Sequence, residues 1–424
     1  MSRAGRSPRA DPAVRVLYIS YDGLTDPLGQ SQILPYLAGC AEAGHRLTIV
    51  SFEKDERLAL LGEQVRGLVE AHGMEWRPER FRPSPPLVAR ALDQMAMRRS
   101  VERLAREQRF DLVHARSYPA AVAGLRLKRR HGVPLLFDMR GFWPDSRRDG
   151  GRWSERSLLG RTLYRRWKAH ERALLRESDH IVAMADAARA AIRTMPGYAG
   201  APVSVIPCCT DFELFDVALP EQRREARAAL GIAEDALVLV YVGSLGTIYR
   251  LEDQLRLFDK VRLRRAGARL LFIGRHRKAD LLAAAGAAGI ALGEEEVSVV
   301  AAERAEIGRW ISAGDVGTCF YTPAFSSLNV SPTKLAEYLA CGVPAIGNCQ
   351  VGDVARLLER CRGGMTVADF SDAALERAAG AVLELAAVDR VALRERARPL
   401  LDLPHAVAAY RSLYERLDRP VTVG

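Results

Sequence analysis

"SPTKLAEYLACGVPAIGN", residues 331–348, reads as a helix feeding directly into a buried strand. Ser331 suits an N-cap, Pro332 the first helical position, and Gly342 with Pro344 a stop. The apolar run "VPAIGN" (343–348) follows at once as a strand. A helix joined to a strand by so short a turn is one unit of an α/β sheet. Its first turn holds Lys334, although a helix start favours a carboxylate. A negative partner is required there, and Glu337 lies one turn further on.

Outward from this unit the same alternation recurs. The N-terminal half gives strands at "VRVLYIS" (14–20), "RLTIVSF" (46–52), "DLVHARS" (111–117), "PLLFDMR" (134–140) and "HIVAM" (180–184). "VSVIPCCTDFELF" (203–215) closes that half. The second half restarts with "LVLVYVGSLG" (237–246) and continues through "ARLLFIGR" (268–275), "VSVVA" (297–301) and "VGTCFY" (316–321). Short apolar runs between helices indicate parallel sheets covered on both faces. The expected architecture is α/β, two Rossmann-like domains facing a cleft. The expected boundaries are a disordered basic tail 1–12, an N-terminal domain 13–210, a linker 211–235, a C-terminal domain 236–400 and a crossing helix with its tail 401–424.

The 424 residues, 48% hydrophobic, suffice for two cores. No apolar run has membrane-spanning length, and the first twelve residues lack the apolar stretch of a secretory signal. Seven cysteines without CxxC spacing suggest small buried thiols in a reduced compartment. A cytoplasmic protein is expected, with peripheral contact at the inner face of the plasma membrane. Residues 1–205 hold 35 Lys and Arg against 23 Asp and Glu, so the whole basic excess lies in the N-terminal half. That asymmetry fits either an anionic surface as partner or an arginine-rich proteome. The stretch 161–176, "RTLYRRWKAHERALLR", reads as a helix lying on an anionic bilayer, with a solvated helix carrying an aromatic core stripe as the alternative.

Several chemistries are absent. The chain has no Walker P-loop, HExxH, GxGxxG or GxSxG, and no two aspartates stand two apart. No metal site is expected, and a nucleotide diphosphate would have to be held by amides and basic side chains. No helix-turn-helix, RRM or zinc module supports nucleic acid as partner.

A helix start at the C-terminal end of a parallel strand is where such sheets bind ligands. Free amides and the helix dipole favour an anion, and Lys334 adds a full charge. Beside it the Glu337 carboxylate suits a pair of ribose hydroxyls, or else forms an i,i+3 ion pair with Lys334.

The opening segment resembles the C-terminal signature of retaining glycosyltransferases of the GT-B fold, family four. "YDGLTDPLGQSQILPYL" (21–37), "RGFWPDSRRDGGRW" (140–153), "VIPCCTDFELF" (205–215) and "YVGSLGTIYRLEDQL" (241–255) resemble it too, in the family's order. The resemblance implies a nucleotide-sugar donor on the C-terminal domain and a glycan or lipid-linked acceptor on the N-terminal one. It makes Glu337 the ribose reader and places Gly29, Ser331, Thr333 and Gly243 among the nucleotide-sugar contacts.

Two departures stand out. The family's E-x7-E motif has its first glutamate where this chain has Asn329. Where the family carries an arginine after its first C-terminal strand, this chain has Ser244, which leaves Arg250, Arg275 or Arg277 to meet the diphosphate. Arg250 and Arg275 are the preferred candidates, with Lys334. In the N-terminal domain Arg140 or Asp138 would face the cleft, or pair with each other behind it; His114 reads as a scaffold residue. The implied reaction is metal-independent transfer to a hydroxyl with retention, without a cofactor beyond the donor. Its product would belong to a cell-surface glycan, polysaccharide or glycolipid. A non-catalytic sugar-nucleotide-binding or scaffold protein is the alternative that Asn329 and Ser244 motivate.

Overall fold

The computed structural model describes residues 13–246 and 248–418; the expected disordered tail 1–12 lies outside them. The first sheet contains β1 (Arg15–Ser20), β2 (Arg46–Glu53), β3 (Glu75–Arg80), β4 (Leu112–Arg116), β5 (Leu135–Asp138), β6 (His180–Ala183) and β7 (Val203–Val205). Their order is β3-β2-β1-β4-β5-β6-β7, all parallel. The second contains β8 (Val238–Val242), β9 (Arg269–Ile273), β10 (Val297–Val300), β11 (Val316–Cys319), β12 (Ala345–Asn348) and β13 (Gly364–Val367). Its order is β10-β9-β8-β11-β12-β13, again parallel. This is the GT-B arrangement of two Rossmann-like sheets.

Strands buried on both faces appear where continuous apolar runs predict them. Two short strands escape that rule. β3, "EWRPER", is an edge strand in which Trp76 is buried, while charges and Pro78 guard the open side. β13 begins at Gly364, whose φ is +145° and whose missing Cβ would meet the Ala345 carbonyl oxygen at 1.8 Å. Only glycine allows that strand to pair with β12.

The segment read as a linker, 211–235, is largely built into the second core. It carries a helix, Pro220–Ala229, and Phe212, Phe215, Ala226 and Arg227 are buried. The Arg227 guanidinium pairs with Asp315 at 2.8 Å. The last helix, Leu403–Asp418, crosses back to the first sheet. There the Tyr414 hydroxyl meets His114 Nδ1 at 2.7 Å, and Tyr410 donates to Asp138 at 3.0 Å. His114 is therefore a scaffold residue under this helix. In the 161–176 stretch Trp167 turns inward onto Trp143, and Tyr164 donates to the buried Asp145. Among the described residues no helix is long and apolar enough to cross a membrane.

Because each sheet is parallel, the C-terminal ends of its strands share one edge. The residues just beyond β5, β6, β8, β9 and β11 (Arg140, Met184, Gly243, Gly274 and Tyr321) border a single cleft of about 2080 Å³.

Candidate active site

The helix that begins the site runs Thr333–Ala340. It starts later than the sequence suggests, and Ser331 does not cap it. The Ser331 hydroxyl instead accepts from the Cys208 amide of the other half at 2.9 Å. Pro332 occupies the cap position with no side-chain bond, so the amides of Thr333 and Lys334 precede the helix's first internal bonds.

Lys334 is 7% exposed, and its Nζ has no hydrogen-bond partner among the described residues. Three tyrosines surround it: Nζ lies 3.7 Å from the Tyr241 ring centroid, 4.4 Å from Tyr249 and 5.8 Å from Tyr321. These rings come from β8, from the loop after it and from the end of β11. Ring faces stabilise a cation without neutralising it. Burial pushes the Lys334 pKa down from 10.5 to about 8, against the pull of Cys319 and Glu337. The arrangement holds an ammonium in a dry site, with its hydrogen-bonding capacity unspent.

Glu337 is also buried, and its partner is Arg304, whose guanidinium donates at 3.3 Å. The i,i+3 pair with Lys334 is not formed. Burial raises the Glu337 pKa, with Arg304 and Lys334 opposing. Gly243, at φ +114°, turns the chain after β8 so that its Cβ position lies 3.5 Å from Lys334 Nζ. Its carbonyl oxygen is 2.7 Å from His276 Nε2, which must therefore be the protonated nitrogen.

The remaining candidates divide. Arg275 borders the cleft, exposed and paired with Glu303 at 2.9 Å. Arg250 lies outside the lining: it stacks on Phe370 and pairs with Asp253 at 2.5 Å, because its position at the head of helix Leu251–Arg264 turns it toward that helix. Arg277 is held by Asp280 away from the cleft. Gly29 does not border the cleft either. A Cβ there would lie 2.1 Å from the Gly23 carbonyl oxygen, so this glycine serves close packing of the helix Pro27–Gln32 on the preceding turn.

Asn329 is fully buried between the halves. Its side-chain oxygen accepts from the Met184 amide at 2.8 Å, which leaves Nδ2 buried without a partner. Opposite it, Arg140 adopts φ +41° and is buried, reaching Cys208 Sγ at 3.1 Å and Asp138 at 3.9 Å. Burial pushes the Asp138 carboxyl up, yet Arg140, His114 and Arg116 outweigh it and hold its pKa below the ordinary value.

Arg304 and the three tyrosines were not among the sequence candidates. Tyr241 and Tyr321 stand at or just beyond strand ends in "VLVYVG" and "TCFY", which marks them as cleft-facing; Tyr249, in the loop after β8, and Arg304, which opens the helix Arg304–Ser312, carry no such signal.

Comparison with known proteins points to one family. Residues 33–214 match the model of Glycosyltransferase Family 4, and residues 236–385 match that of Glycosyl transferases group 1. D-inositol 3-phosphate glycosyltransferase of Nocardiopsis dassonvillei is 30% identical over 137 residues, which is 32% of this chain and 29% of that protein. The chain thus matches under a third of that relative's length. Sucrose-phosphate synthase of Thermosynechococcus elongatus superposes with a TM-score of 0.68 at 16% identity, over 95% of this chain and 99% of that one. The Anabaena protein HepE, solved with UDP and glucose, gives 0.67 at 14% identity, over 94% and 99%. WaaG, a glycosyltransferase involved in lipopolysaccharide biosynthesis, gives 0.63 at 16%, over 96% and 100%. These structures share the fold, and the two family models together span most of the chain, which belongs to glycosyltransferase family 4, a retaining family of enzymes with the GT-B fold.

Proposed function

We propose that the protein transfers a sugar from a nucleoside diphosphate sugar to a hydroxyl acceptor, with retention at the anomeric carbon. The observation that carries this reading is Lys334: a buried ammonium without a hydrogen-bond partner, at a helix N-terminus that borders the cleft. An unpaired buried cation is costly unless an anion completes it. The diphosphate would lie against Lys334 and the amides of Thr333 and Lys334, with Arg275 at the mouth. Gly243 lets the chain pass close to it. Glu337, aimed by Arg304, would accept from the ribose hydroxyls. HepE, which has been solved with UDP and with UDP-glucose, makes UDP the first nucleotide to test.

The chemistry follows from that placement. The bond from the anomeric carbon to the diphosphate oxygen breaks, the acceptor oxygen bonds to the same face of that carbon, and the departing diphosphate takes the acceptor proton. Lys334 stabilises the charge growing on the leaving oxygen, an effect worth about 2–4 kcal/mol of barrier by analogy with oxyanion donors. Asn329 Nδ2 can donate to the transferring sugar, where a glutamate would accept; Arg140 closes the site from the other half. No step requires a metal ion.

Calorimetric titration with UDP, GDP and ADP, without added divalent ion, tests the site. One of them should bind in the micromolar range and lose most of that affinity in Lys334→Ala. Failure of all three, or binding only with a divalent ion, overturns the reading. A product glycan at the cell surface, and contact of the basic half with an anionic membrane, remain part of the proposal.

A further inference from the structure

Where the two halves meet around Asn329, the cleft offers unspent hydrogen-bond donors. Asn329 is fully buried, and the bond that its Oδ1 accepts from the Met184 amide at 2.8 Å decides which end of the side-chain amide is which. Nδ2 is the end turned away from Met184, buried and without a partner among the described residues. Arg140 approaches from the other half: the next residue, Gly141 at φ +120°, holds its Cβ position 3.8 Å from the Asn329 backbone oxygen. Arg140 Nε is likewise buried without a partner. Cys208 ties this corner together, since its Sγ lies 3.1 Å from the Arg140 guanidinium and its amide donates to the Ser331 hydroxyl at 2.9 Å. That hydroxyl still has its own proton to give. Asn329, Arg140, Cys208 and Ser331 all border the cleft.

Arg140 has a counter-charge, but that group stands behind it. Asp138 lies 3.9 Å away, beyond hydrogen-bond reach, and accepts from Tyr410 at 3.0 Å. It borders the small cavity beneath the last helix rather than the cleft. What Arg140 keeps unspent is hydrogen bonding, not charge. The acidic side chains that do border the cleft are engaged elsewhere: Asp22 near Arg116, Asp26 with Lys54, Glu303 with Arg275 and Glu337 with Arg304. None of them, nor the exposed Glu56, pairs with Asn329 or Arg140.

A neutral sugar hydroxyl gives a proton as well as accepting one, and the glutamate that the family carries at this place would take it. Asparagine, with its oxygen already spent on Met184, reverses that polarity. An acceptor-only group satisfies such a set of donors, and a carboxylate has two oxygens with which to do so. Its burial requires donors to meet it, and a glutamate facing it would repel it. We propose that the transferred sugar is a uronic acid, its carboxylate held by Asn329 Nδ2, the Arg140 guanidinium and the Ser331 hydroxyl. This rests on reading the cleft as a sugar-transfer site with the diphosphate on Lys334. The carboxylate is a handle away from the anomeric carbon and takes no proton in the transfer.

The test titrates the full-length protein calorimetrically with sugar nucleotides of whichever bare diphosphate binds, UDP, GDP or ADP. Glucuronate, galacturonate and mannuronate donors are each set against the matching hexose, and an N-acetylglucosamine donor is added. At least one uronate should bind about tenfold or more tightly than its hexose, because the wrong sugar leaves buried donors unpaired. The neutral carboxamide of that uronate should lose most of the advantage, since a charged acceptor makes the stronger bond to a guanidinium. Asn329→Asp is isosteric and keeps the acceptor for the Met184 amide, so it should fold; in it the uronate-to-hexose ratio should drop about tenfold or more. No uronate ahead of its hexose by that margin would overturn the proposal, and tightest binding of the N-acetyl donor would overturn it in favour of an acyl amide. A carboxamide bound as tightly as the acid, or a ratio unchanged in Asn329→Asp, would also sink it. Absence of binding by all three bare nucleotides would instead strike the transfer reading beneath it.

Discussion

Lys334 Nζ stands 3.7 Å above the Tyr241 ring and is not paired with Glu337, whose carboxylate is taken by Arg304. The lysine therefore keeps its charge with no carboxylate bonded to it among the described residues, although Glu337 is near enough to favour the charged form. Its depressed pKa, about 8 against 10.5, has two consequences of definite sign. Between pH 8 and 10.5 the unfolded chain holds a proton that the folded chain has released. Folding stability accordingly rises with pH across that window, and below pH 8 the full cost of burying the ammonium is present. Lys334→Met should raise stability at pH 7 by on the order of 2 kcal/mol, read from the urea midpoint. The same variant should weaken nucleoside diphosphate binding about 10–100-fold, the worth of a charged hydrogen bond. In the wild type that affinity should fall as pH rises through about 8, with proton uptake on binding seen in calorimetry across buffers. Affinity flat from pH 7 to 9.5 would remove Lys334 from the diphosphate.

Glu337 gives a prediction that separates ribose recognition from mere pairing with Arg304. Wild-type protein should bind a ribonucleoside diphosphate about 10-fold or more tighter than its 2′,3′-dideoxy form, since a buried carboxylate deprived of its hydroxyls is left short of donors. Glu337→Gln should erase most of that preference while leaving the fold intact. A wild type that does not distinguish the two nucleotides would reduce Glu337 to an anchor for Arg304.

How far the sequence reaches is clear from these two residues. Lys334 and Glu337 were legible because a helix start and a three-residue spacing are local facts, and their clefted setting followed from strand order. What a side chain meets across forty or a hundred residues was not legible. Ser331 looked like a cap by composition, yet the competing bond to the Cys208 amide comes from the other half. Arg250 looked free for a phosphate, but a carboxylate three residues on and a ring 120 residues away claim it. β3 was invisible because an edge strand need not be apolar, and β13 because it begins with a glycine.

The tyrosine cage can be tested through the same titration. Tyr249 lies 4.4 Å from Lys334 Nζ and also packs against Tyr321, with ring centroids 5.0 Å apart. Tyr249→Leu removes one ring face, a loss of about 0.5–2 kcal/mol for a desolvated cation. The pH midpoint of nucleotide binding should move down by about half a unit to one unit. Tyr249→Phe retains the ring and should leave the midpoint nearly in place. A shift shared equally by both variants would point to the hydroxyl rather than the ring.

The two halves are also joined by a helix cap supplied from across the cleft. The N-terminal helix Asp186–Thr194 is preceded by Ala185, which offers no side-chain acceptor. Asp353, just ahead of the helix Val354–Cys361 in the other half, fills that role: its carboxylate accepts from the Asp186 amide at 2.7 Å and the Ala187 amide at 3.4 Å. The Asn329 bond to the Met184 amide lies two residues upstream on the same turn. Removing the cap should cost about 1 kcal/mol, the usual value for an N-cap carboxylate, but the loss falls on the relation between halves more than on either core. Asp353→Ala should therefore leave the urea slope nearly unchanged while increasing the radius of gyration measured by small-angle scattering. Asp353→Asn, which keeps an acceptor, should restore most of the compact form. If closure draws on this cap, nucleotide affinity should fall severalfold in Asp353→Ala although the residue touches no nucleotide, because part of the binding energy must then close the cleft. A compact Asp353→Ala protein with wild-type affinity would show that the cap serves the helix alone.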